Sequence, residues 1–368
     1  MTSGHPLRVI HFVTGGFSGA TQVAVDLCLA AQNAHAGPVL LVLRRKRNTS
    51  DIRVTALQTQ GIDVRVVPGG LHVLTIWALY RLCRAWKPDV LVAHGFSDHI
   101  WGRLAGLWAG VKVLVQVEHN TRERYNWLRL RQSLWLAQRT AQLVGVSHAV
   151  QNALLRWGHP PSRCTTISNG VDLDKWSRGL PWSDRETAVV MPARFARAKD
   201  HTTLIRAMAL LKQRGLDLPC YLAGDGKANW RKRAETLCRE LGVEDRVHFL
   251  GRVSDMPELM ARVKFCVLST HYEGLSLSLI EGMVAGCCAI GSDVEGVQEI
   301  LEHAQTGYLV PENDAATLAD TLEKLLQTDS VAASVAAAGR EHARKTFDKR
   351  LMYPSYEKLF QALWSEKM

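Results

Sequence analysis

The chain has 368 residues, of which 47% are hydrophobic and 22% are charged, and this is enough for two domains with ordinary cores. The composition excludes an intrinsically disordered chain. The net charge of +10 is unevenly distributed, because residues 1–170 carry 19 Lys and Arg against 7 Asp and Glu, and residues 171–368 carry 26 against 28. A basic first half fits an anionic substrate, a membrane surface or nucleic acid, or serves solubility alone.

The cysteines and the N-terminus indicate the compartment. The eight cysteines are scattered without a CxxC or Cys/His ligand spacing, which favours reduced thiols over a disulfide scaffold or a zinc site. The apolar run 9–13 is too short for a signal peptide and contains His11. No apolar stretch approaches the roughly 20 residues that span a bilayer. We therefore expect a cytoplasmic protein whose membrane contact is peripheral, on the inner face of the cytoplasmic membrane.

The chain opens with a strand, a glycine-rich turn and a helix. Residues 7–13 read as a buried strand, TGGFSGAT follows, and residues 23–31 have helical periodicity. This is the start of a Rossmann-like unit, although Gly15, Gly16 and Gly19 do not make the GxGxxG spacing of a dinucleotide site. A tight connection between a strand and a helix needs such glycines equally well.

Further strands alternate with helical patterns through the first half, which predicts a parallel, doubly wound sheet. They are expected at residues 39–43, 64–67, 90–93, 113–117 and 143–146. Polar side chains follow two of these strands, namely His94, Asp98 and His119. Strand carboxyl ends line the ligand crevice in such sheets, so we expect these residues to face it. A hydrogen-bonded loop role is the alternative for each.

A composition shift after Ser168 marks a linker at 171–186, with Gly179, Pro181 and Ser183. It divides a first domain, 1–170, from a second, 187–350. The second domain repeats the alternation, with strands expected at 188–191, 220–223, 247–250, 265–268 and 288–292 and helices at 315–326 and 331–344. The tail, 351–368, has helical spacing.

The stretch from residue 265 to 300 is the most informative. Its strand opens into a polar loop, and a helical pattern begins at Ser276 and Leu277. A helix N-terminus presents unpaired N–H groups and about half a positive charge, which suits a phosphate. Glu273 and Glu281 frame this point. Carboxylates repel phosphate, so sugar hydroxyls are their natural partners, unless they are solvated surface residues.

Glu273, seven residues, Glu281 and then GMVAG resemble the signature of the retaining family-4 glycosyltransferases. Cys288 stands where that family usually has Pro, and Glu295 where it usually has the first Gly of a pair. The resemblance implies a GT-B architecture, in which two Rossmann-like domains face each other across a cleft. By the same resemblance the tail crosses back onto the first domain.

In the first domain, the resemblance gives Gly15 and Gly16 the role of letting backbone approach the donor phosphate. His119, in the sequence EHN, resembles the histidine that reaches the donor sugar. SNGVD resembles the segment that passes between the two domains.

In the second domain, Arg194 and Lys199 of PARFARAKD resemble the cations that clamp the diphosphate, with Ala193 and Asp200 where glycines are usual. Glu273 would hold the donor sugar and Glu281 the ribose. Three further sets of nucleotide-binding positions are expected. Gly224, Asp225 and Gly226 of AGDG suit close passage of a nucleotide, Gly251, Arg252 and Val253 resemble the segment whose backbone reads the base, and Ser276 and Leu277 would bind the diphosphate.

The resemblance implies a retaining hexosyl- or N-acetylhexosaminyltransferase with a UDP-linked donor and a glycolipid or lipopolysaccharide-type acceptor. No Asp-x-Asp cluster is convincing, so we expect neither a metal site nor a cofactor beyond the donor. A sugar-nucleotide epimerase of similar architecture is one alternative. A basic nucleic-acid-binding protein is another, but its basic residues should interleave with aromatic platforms, so no nucleic-acid partner is expected.

The segment 121–142 predicts a helix that docks on an anionic membrane. Arg124, Leu128, Arg131 and Trp135, with Arg139 beside them, form a stripe of the kind used by interfacial helices. A second stripe, predicted to pack on the domain, contains Trp127, Leu130, Leu134, Ala137 and Ala141. Contact with a soluble acceptor's phosphates or with solvent is the alternative for the arginines.

Overall fold

The computed structural model describes residues 6–123 and 125–368 and divides the chain into two compact units. The first unit contains the chain up to Asn169 together with Lys349–Met368, and the second contains Gly170–Asp348. Residues 171–186, predicted as a linker, belong to the second unit. There residues 173–176 form a short helix, of which Leu173 and Trp176 are buried.

The first unit contains a seven-stranded parallel sheet in the order β3-β2-β1-β4-β5-β6-β7. The order reverses between β1 and β4, as in doubly wound sheets. The strands are β1 (Val9–Thr14), β2 (Val39–Arg44), β3 (Asp63–Val67), β4 (Val90–His94), β5 (Val113–Glu118), β6 (Gln142–Gly145) and β7 (Cys164–Thr166).

Helices cover both faces of this sheet. They are α1 (Gly19–Asn33), α2 (Asp51–Thr59), α3 (His72–Trp86), α4 (Asp98–Ala109), α5 (Trp127–Ala137), α6 (His148–Arg156) and α15 (Lys349–Ser365). One core cluster contains α1 and α2 side chains such as Val25 and Leu57. The other contains side chains of α3, α4 and α5, such as Leu79, Trp101 and Leu136. The predicted C-terminal helix is α15, which packs against α1 within this unit.

The second unit contains a six-stranded parallel sheet in the order β10-β9-β8-β11-β12-β13. The strands are β8 (Glu186–Pro192), β9 (Cys220–Ala223), β10 (Val247–Gly251), β11 (Val263–Leu268), β12 (Cys288–Ser292) and β13 (Tyr308–Val310). The helices are α7 (Leu173–Trp176), α8 (His201–Gln213), α9 (Ala228–Leu241), α10 (Met256–Arg262), α11 (Leu277–Ala285), α12 (Glu295–Gln298), α13 (Ala315–Gln327) and α14 (Asp329–Thr346). The predicted pair of Rossmann-like parallel-sheet domains is confirmed.

The helix predicted over 121–142 is shorter, because α5 begins after Asn126, whose side chain accepts a hydrogen bond from the Arg129 N–H. Its buried residues are Ser133, Leu136 and Ala137. Trp127 was predicted to pack on the domain, and this was wrong, since it is 72% exposed. Leu128, Arg131, Trp135 and Arg139 are exposed. Arg124 lies outside the described residues.

All eight cysteines are reduced and buried. Among the described residues, no helix combines the length and apolarity that crossing a membrane requires.

Candidate functional site

The predicted second-domain residues gather at one edge of the second sheet. All six strands are parallel, so their carboxyl ends share that edge. Arg194 and Lys199 follow β8, Gly224, Asp225 and Gly226 follow β9, Gly251 to Val253 end or follow β10, and Glu273 to Glu281 follow β11.

Backbone hydrogen bonds tie these loops together. The Gly224 N–H donates to the Gly251 carbonyl (2.7 Å), and the Phe195 N–H donates to the Asp225 carbonyl (3.1 Å). On the other side, the Asp200 N–H donates to the Ser269 carbonyl (3.0 Å). The edge is therefore a continuous hydrogen-bonded rim that fixes side chains from four strands relative to one another.

Gly224 has a conformation and a neighbourhood that only glycine tolerates. Its φ is +159°, and a Cβ there would lie 2.2 Å from the Ala193 carbonyl oxygen. The first glycine of AGDG is therefore required by the close contact between the loops after β8 and β9. Asp225 and Gly226 are exposed on this loop.

Lys199 and Glu273 form an ion pair, in which Nζ donates to Oε1. The two side chains are 17% and 12% exposed, so solvent screens the pair only in part. Thr270 lies beside them, with Oγ1 2.8 Å from the Ala198 carbonyl oxygen and 3.3 Å from Glu273 Oε1. The sequence predicted both charged residues as site residues but did not predict their pairing.

Arg194 is exposed and has no hydrogen-bond or ion-pair partner within 6–123 and 125–368. Its guanidinium is therefore available to an anion. Arg252 is also exposed, while Gly251 and Val253 are half-buried beside it.

Helix α11 begins at Leu277 with Ser276 as its N-cap, and no described side chain caps it. Ser276 is buried, and its hydroxyl lies 3.4 Å from the Ser278 hydroxyl. The first N–H groups of α11 therefore keep their capacity for an anion. Glu281 lies four residues further along the helix and is half-buried.

His271 was not predicted as a site residue. It lies in the loop after β11, two residues before Glu273, and its Nδ1 is 2.8 Å from Glu312 Oε1. His271 and Glu312 are 41 residues apart, so the sequence could not indicate their pairing. The position of His271 in HYEG, near Glu273, is the one sequence signal that could have marked it as a site residue.

In the first unit, Gly15 follows β1, and its N–H donates to the Arg44 carbonyl (2.8 Å). A Cβ at Gly15 would lie 2.8 Å from that oxygen, so the approach of the β2 loop demands glycine here. Gly16 has no such crowding, since its nearest neighbours would be 3.6 Å from a Cβ. A ligand could therefore approach the Gly16 backbone closely.

Three histidines lie together, because β1, β4 and β5 are adjacent in the sheet. His11 Nδ1 is 3.1 Å from His94 Nε2, and His94 Nδ1 is 3.4 Å from His119 Nε2. Burial lowers the pKa of His11 to about 3 and that of His119 to about 4. Burial and the two neighbouring rings lower the pKa of His94 well below its usual value. All three rings are neutral at neutral pH, and each has one donor and one acceptor nitrogen.

The prediction that Asp98 faces the ligand crevice was wrong. Asp98 is buried at the start of α4 and pairs with Arg44, whose Nη2 donates to Oδ2 (3.2 Å). The Arg44 charge at the end of β2 holds the carboxylate in place.

Within the described residues, no group of three or more His, Cys, Asp and Glu could hold a metal ion.

Two sequence models match the chain. "Glycosyltransferase Family 4" matches residues 17–175, and "Glycosyl transferases group 1" matches residues 172–342. The chain belongs to this glycosyltransferase family. N-acetyl-alpha-D-glucosaminyl L-malate synthase of Bacillus anthracis is 26% identical over 59% of this chain and 58% of its own length. The amylovoran biosynthesis glycosyltransferase AmsK of Erwinia amylovora is 24% identical over 60% of this chain and 56% of its own length. The chain thus matches little more than half of each relative.

The crystal structure of Anabaena Alr3699/HepE in complex with UDP-glucose superposes on this family-4 chain with a TM-score of 0.86. It covers 97% of this chain and 100% of its own, at 21% identity. The predicted GT-B fold class is confirmed.

Proposed function

We propose that the chain transfers a sugar from a nucleotide diphosphate donor, with the second unit binding the donor. One observation supports this best: two cations, Arg194 and Lys199, share a sheet edge with the uncapped start of α11 and with two carboxylates, Glu273 and Glu281. Cations and helix N–H groups bind a diphosphate, while carboxylates accept hydrogen bonds from sugar hydroxyls.

The leaving diphosphate would be stabilised by the protein's own charges. Charge-assisted hydrogen bonds contribute about 1.5–3 kcal/mol each, so Arg194, Lys199 and the α11 N–H groups supply a substantial part of the stabilisation. We propose that transfer is metal-independent and retains the anomeric configuration, with the donor phosphate taking the acceptor proton in a same-face displacement. Glu281 would hold the ribose and Glu273 the donor sugar.

Gly251 to Val253 would contact the base. Gly16 would act on the donor phosphate and His119 on the donor sugar. We propose UDP as the nucleotide, a hexose or N-acetylhexosamine as the sugar and a glycolipid or lipopolysaccharide-type saccharide as the acceptor. The UDP-glucose bound to HepE and the biosynthetic role in AmsK's name support these choices.

A panel of UDP-, GDP- and ADP-sugars tests the donor by hydrolysis and by thermal shift, and NMR of the product gives its anomeric configuration. Turnover should survive excess chelator. Conversion of the donor to an isomer without acceptor would favour the epimerase instead, and binding to duplex or single-stranded oligonucleotides would favour the nucleic-acid alternative.

We further propose peripheral association with an anionic membrane, supported by α5. Arg131, Trp135 and Arg139 are exposed, and the Arg139 guanidinium lies 4.0 Å from the Trp135 ring centroid. Changing Arg131 and Arg139 to Glu should weaken binding to anionic vesicles and leave donor binding unchanged. Equal binding by this variant and the wild type would contradict a role for α5.

A further inference from the structure

The first two turns of α3 expose a continuous apolar patch, although the solvent side of a helix is normally polar. Its residues and their exposed fractions are Leu71 64%, Val73 75%, Leu74 47% and Trp77 55%. Single exposed apolar residues are ordinary, but four large ones within seven residues form a patch of the kind that marks an interaction site. We call residues 71–77 the α3 tip.

The opposite side of the helix anchors the tip. Ile76, Leu79 and Cys83 are buried in the core, and Thr75 Oγ1 donates to the Pro68 carbonyl (2.7 Å). The apolar side chains therefore stand on a helix held in place by its other face.

A cation lies against the exposed face of the tip. The Arg81 guanidinium lies 4.9 Å from the Trp77 ring centroid, one turn further along the exposed face. Burial lowers the pKa of His72, in the first turn of α3. The charges of Arg44, Arg129 and Lys46 lower it further, and the Asp98 carboxylate opposes them in part. These cations therefore lie within electrostatic range of the tip.

We propose that the α3 tip inserts into the interface of an anionic bilayer. Leu71, Val73 and Leu74 enter the acyl boundary, Trp77 lies at the polar boundary, and Arg81 contacts the headgroups. Interfacial segments combine apolar side chains, an indole and cations in this way. The proposal rests on the membrane association proposed above and identifies the inserting element.

The positive charge of the first unit favours an anionic bilayer over a second copy of the chain as the partner of the α3 tip. Residues 1–169 and 349–368 carry 23 Lys and Arg against 9 Asp and Glu. A second copy docked through the same patch would bring two strongly basic surfaces together, whereas anionic lipid attracts them. The tip is the start of the helix that follows β3, so it lies at the carboxyl edge of the first sheet. Gly16 and His119 lie at the same edge, where a lipid-linked acceptor would be delivered.

Vesicle co-sedimentation tests the proposal, with phosphatidylcholine alone and with about 30% phosphatidylglycerol added. The variant changes Val73, Leu74 and Trp77 to Ser. Its matched control changes Ile52 and Trp108, exposed apolar residues of α2 and α4, to Ser. We expect the tip variant to bind anionic vesicles at least about tenfold more weakly, including the part of the binding that survives high salt. The control should bind like the wild type.

Quenching of tryptophan fluorescence by brominated lipid measures insertion directly. Trp77→Phe should be quenched less than the wild type, whereas Trp108→Phe should be quenched to the same extent as the wild type. Wild-type binding by the tip variant, equal loss in the control, or unchanged quenching in Trp77→Phe would overturn the proposal. A further result would also overturn it: the wild type is a dimer, the tip variant is a monomer, and neither binds vesicles.

Glycosyl transfer to a water-soluble acceptor separates the two proposals. The tip variant should keep wild-type donor affinity and wild-type turnover with that acceptor. Vesicle binding without any glycosyl transfer would overturn the proposed function alone, and transfer without tip-dependent vesicle binding would overturn the insertion alone.

Discussion

Arg194 and Lys199 come from one loop but have different surroundings. Lys199 is paired with Glu273, whereas Arg194 is exposed and has no partner in the described part of the chain. An arriving diphosphate therefore meets a ready cation at Arg194, and at Lys199 a cation that Glu273 already holds in position. The pairing also means that removing Lys199 takes a cation away from a partly buried carboxylate.

Arg194→Ala should lower turnover by about 10²–10³-fold, the usual cost of losing one preorganised charge-stabilising donor. Arg197→Ala is the matched control, because Arg197 is an exposed cation of the same loop. Steady-state kinetics with saturating donor measures the effect. Similar turnover in the two variants would contradict the role of Arg194 in the diphosphate clamp.

The two carboxylates should separate nucleotide binding from sugar binding. Glu281→Gln should weaken the binding of UDP itself, because its proposed partner is the ribose. Glu273→Gln should leave UDP affinity near wild type and weaken the sugar-bearing donor. Calorimetric titration of each variant with UDP and with the UDP-sugar measures both constants, and an unchanged UDP affinity in Glu281→Gln would reject that assignment.

The buried histidines make stability depend on pH. An unfolded-chain histidine has a pKa of 6.5, and folding lowers it to about 3 for His11 and about 4 for His119. Below pH 6.5 the unfolded state binds protons that the folded state does not, so stability is full above that pH and falls as the pH is lowered toward 4. The denaturation midpoint should fall as the pH is lowered from 7 to 5, and this fall should be less steep in His94→Gln. An equal slope in the variant would argue against this histidine cluster as a source.

Arg185 joins the ends of two helices in the second unit. Its Nη2 donates to the Ala285 carbonyl (2.6 Å), near the end of α11, and its Nη1 donates to the Val263 carbonyl (3.2 Å), just after α10. It lies in the segment that sequence composition marks as a linker. The arginine therefore satisfies carbonyls that helix ends otherwise leave unpaired.

Arg185→Met should lower the free energy of unfolding by about 3 kcal/mol, because buried carbonyls lose charge-assisted hydrogen bonds. Arg178→Met, at an exposed position of the same segment, is the control. Urea denaturation followed by circular dichroism measures both. A loss in the control as large as that in Arg185→Met would show that the helix ends do not depend on Arg185.

Strands that are continuous apolar runs were predictable. β9 and β12 have the predicted bounds, because polar or glycine residues follow each run at once. β7 and β13 were not predicted, since three residues such as CTT and YLV carry too little periodicity. Short-range motifs placed the site residues on their loops. Pairings such as Lys199 with Glu273, 74 residues apart, depend on the order of strands in the sheet, which the sequence does not encode locally.

The two units differ in net charge. The first unit is strongly basic, whereas Gly170–Asp348 carries 22 Lys and Arg against 26 Asp and Glu. A donor site in the second unit therefore depends on a few placed cations rather than on a general positive field. Donor binding should accordingly respond weakly to salt, and binding to anionic vesicles strongly.

UDP alone should protect one set of loops from hydrogen exchange. The site residues of the second unit lie after β8, β9, β10 and β11, and backbone hydrogen bonds join these loops. A ligand that contacts several of them stabilises the rim as one unit, so protection should appear together at 193–200, 224–227, 251–253 and 269–281. Mass spectrometry of exchange with and without UDP measures it, and Glu281→Gln should need more UDP for the same protection. Protection confined to residues 1–169 would place the nucleotide in the other unit and reject the donor site.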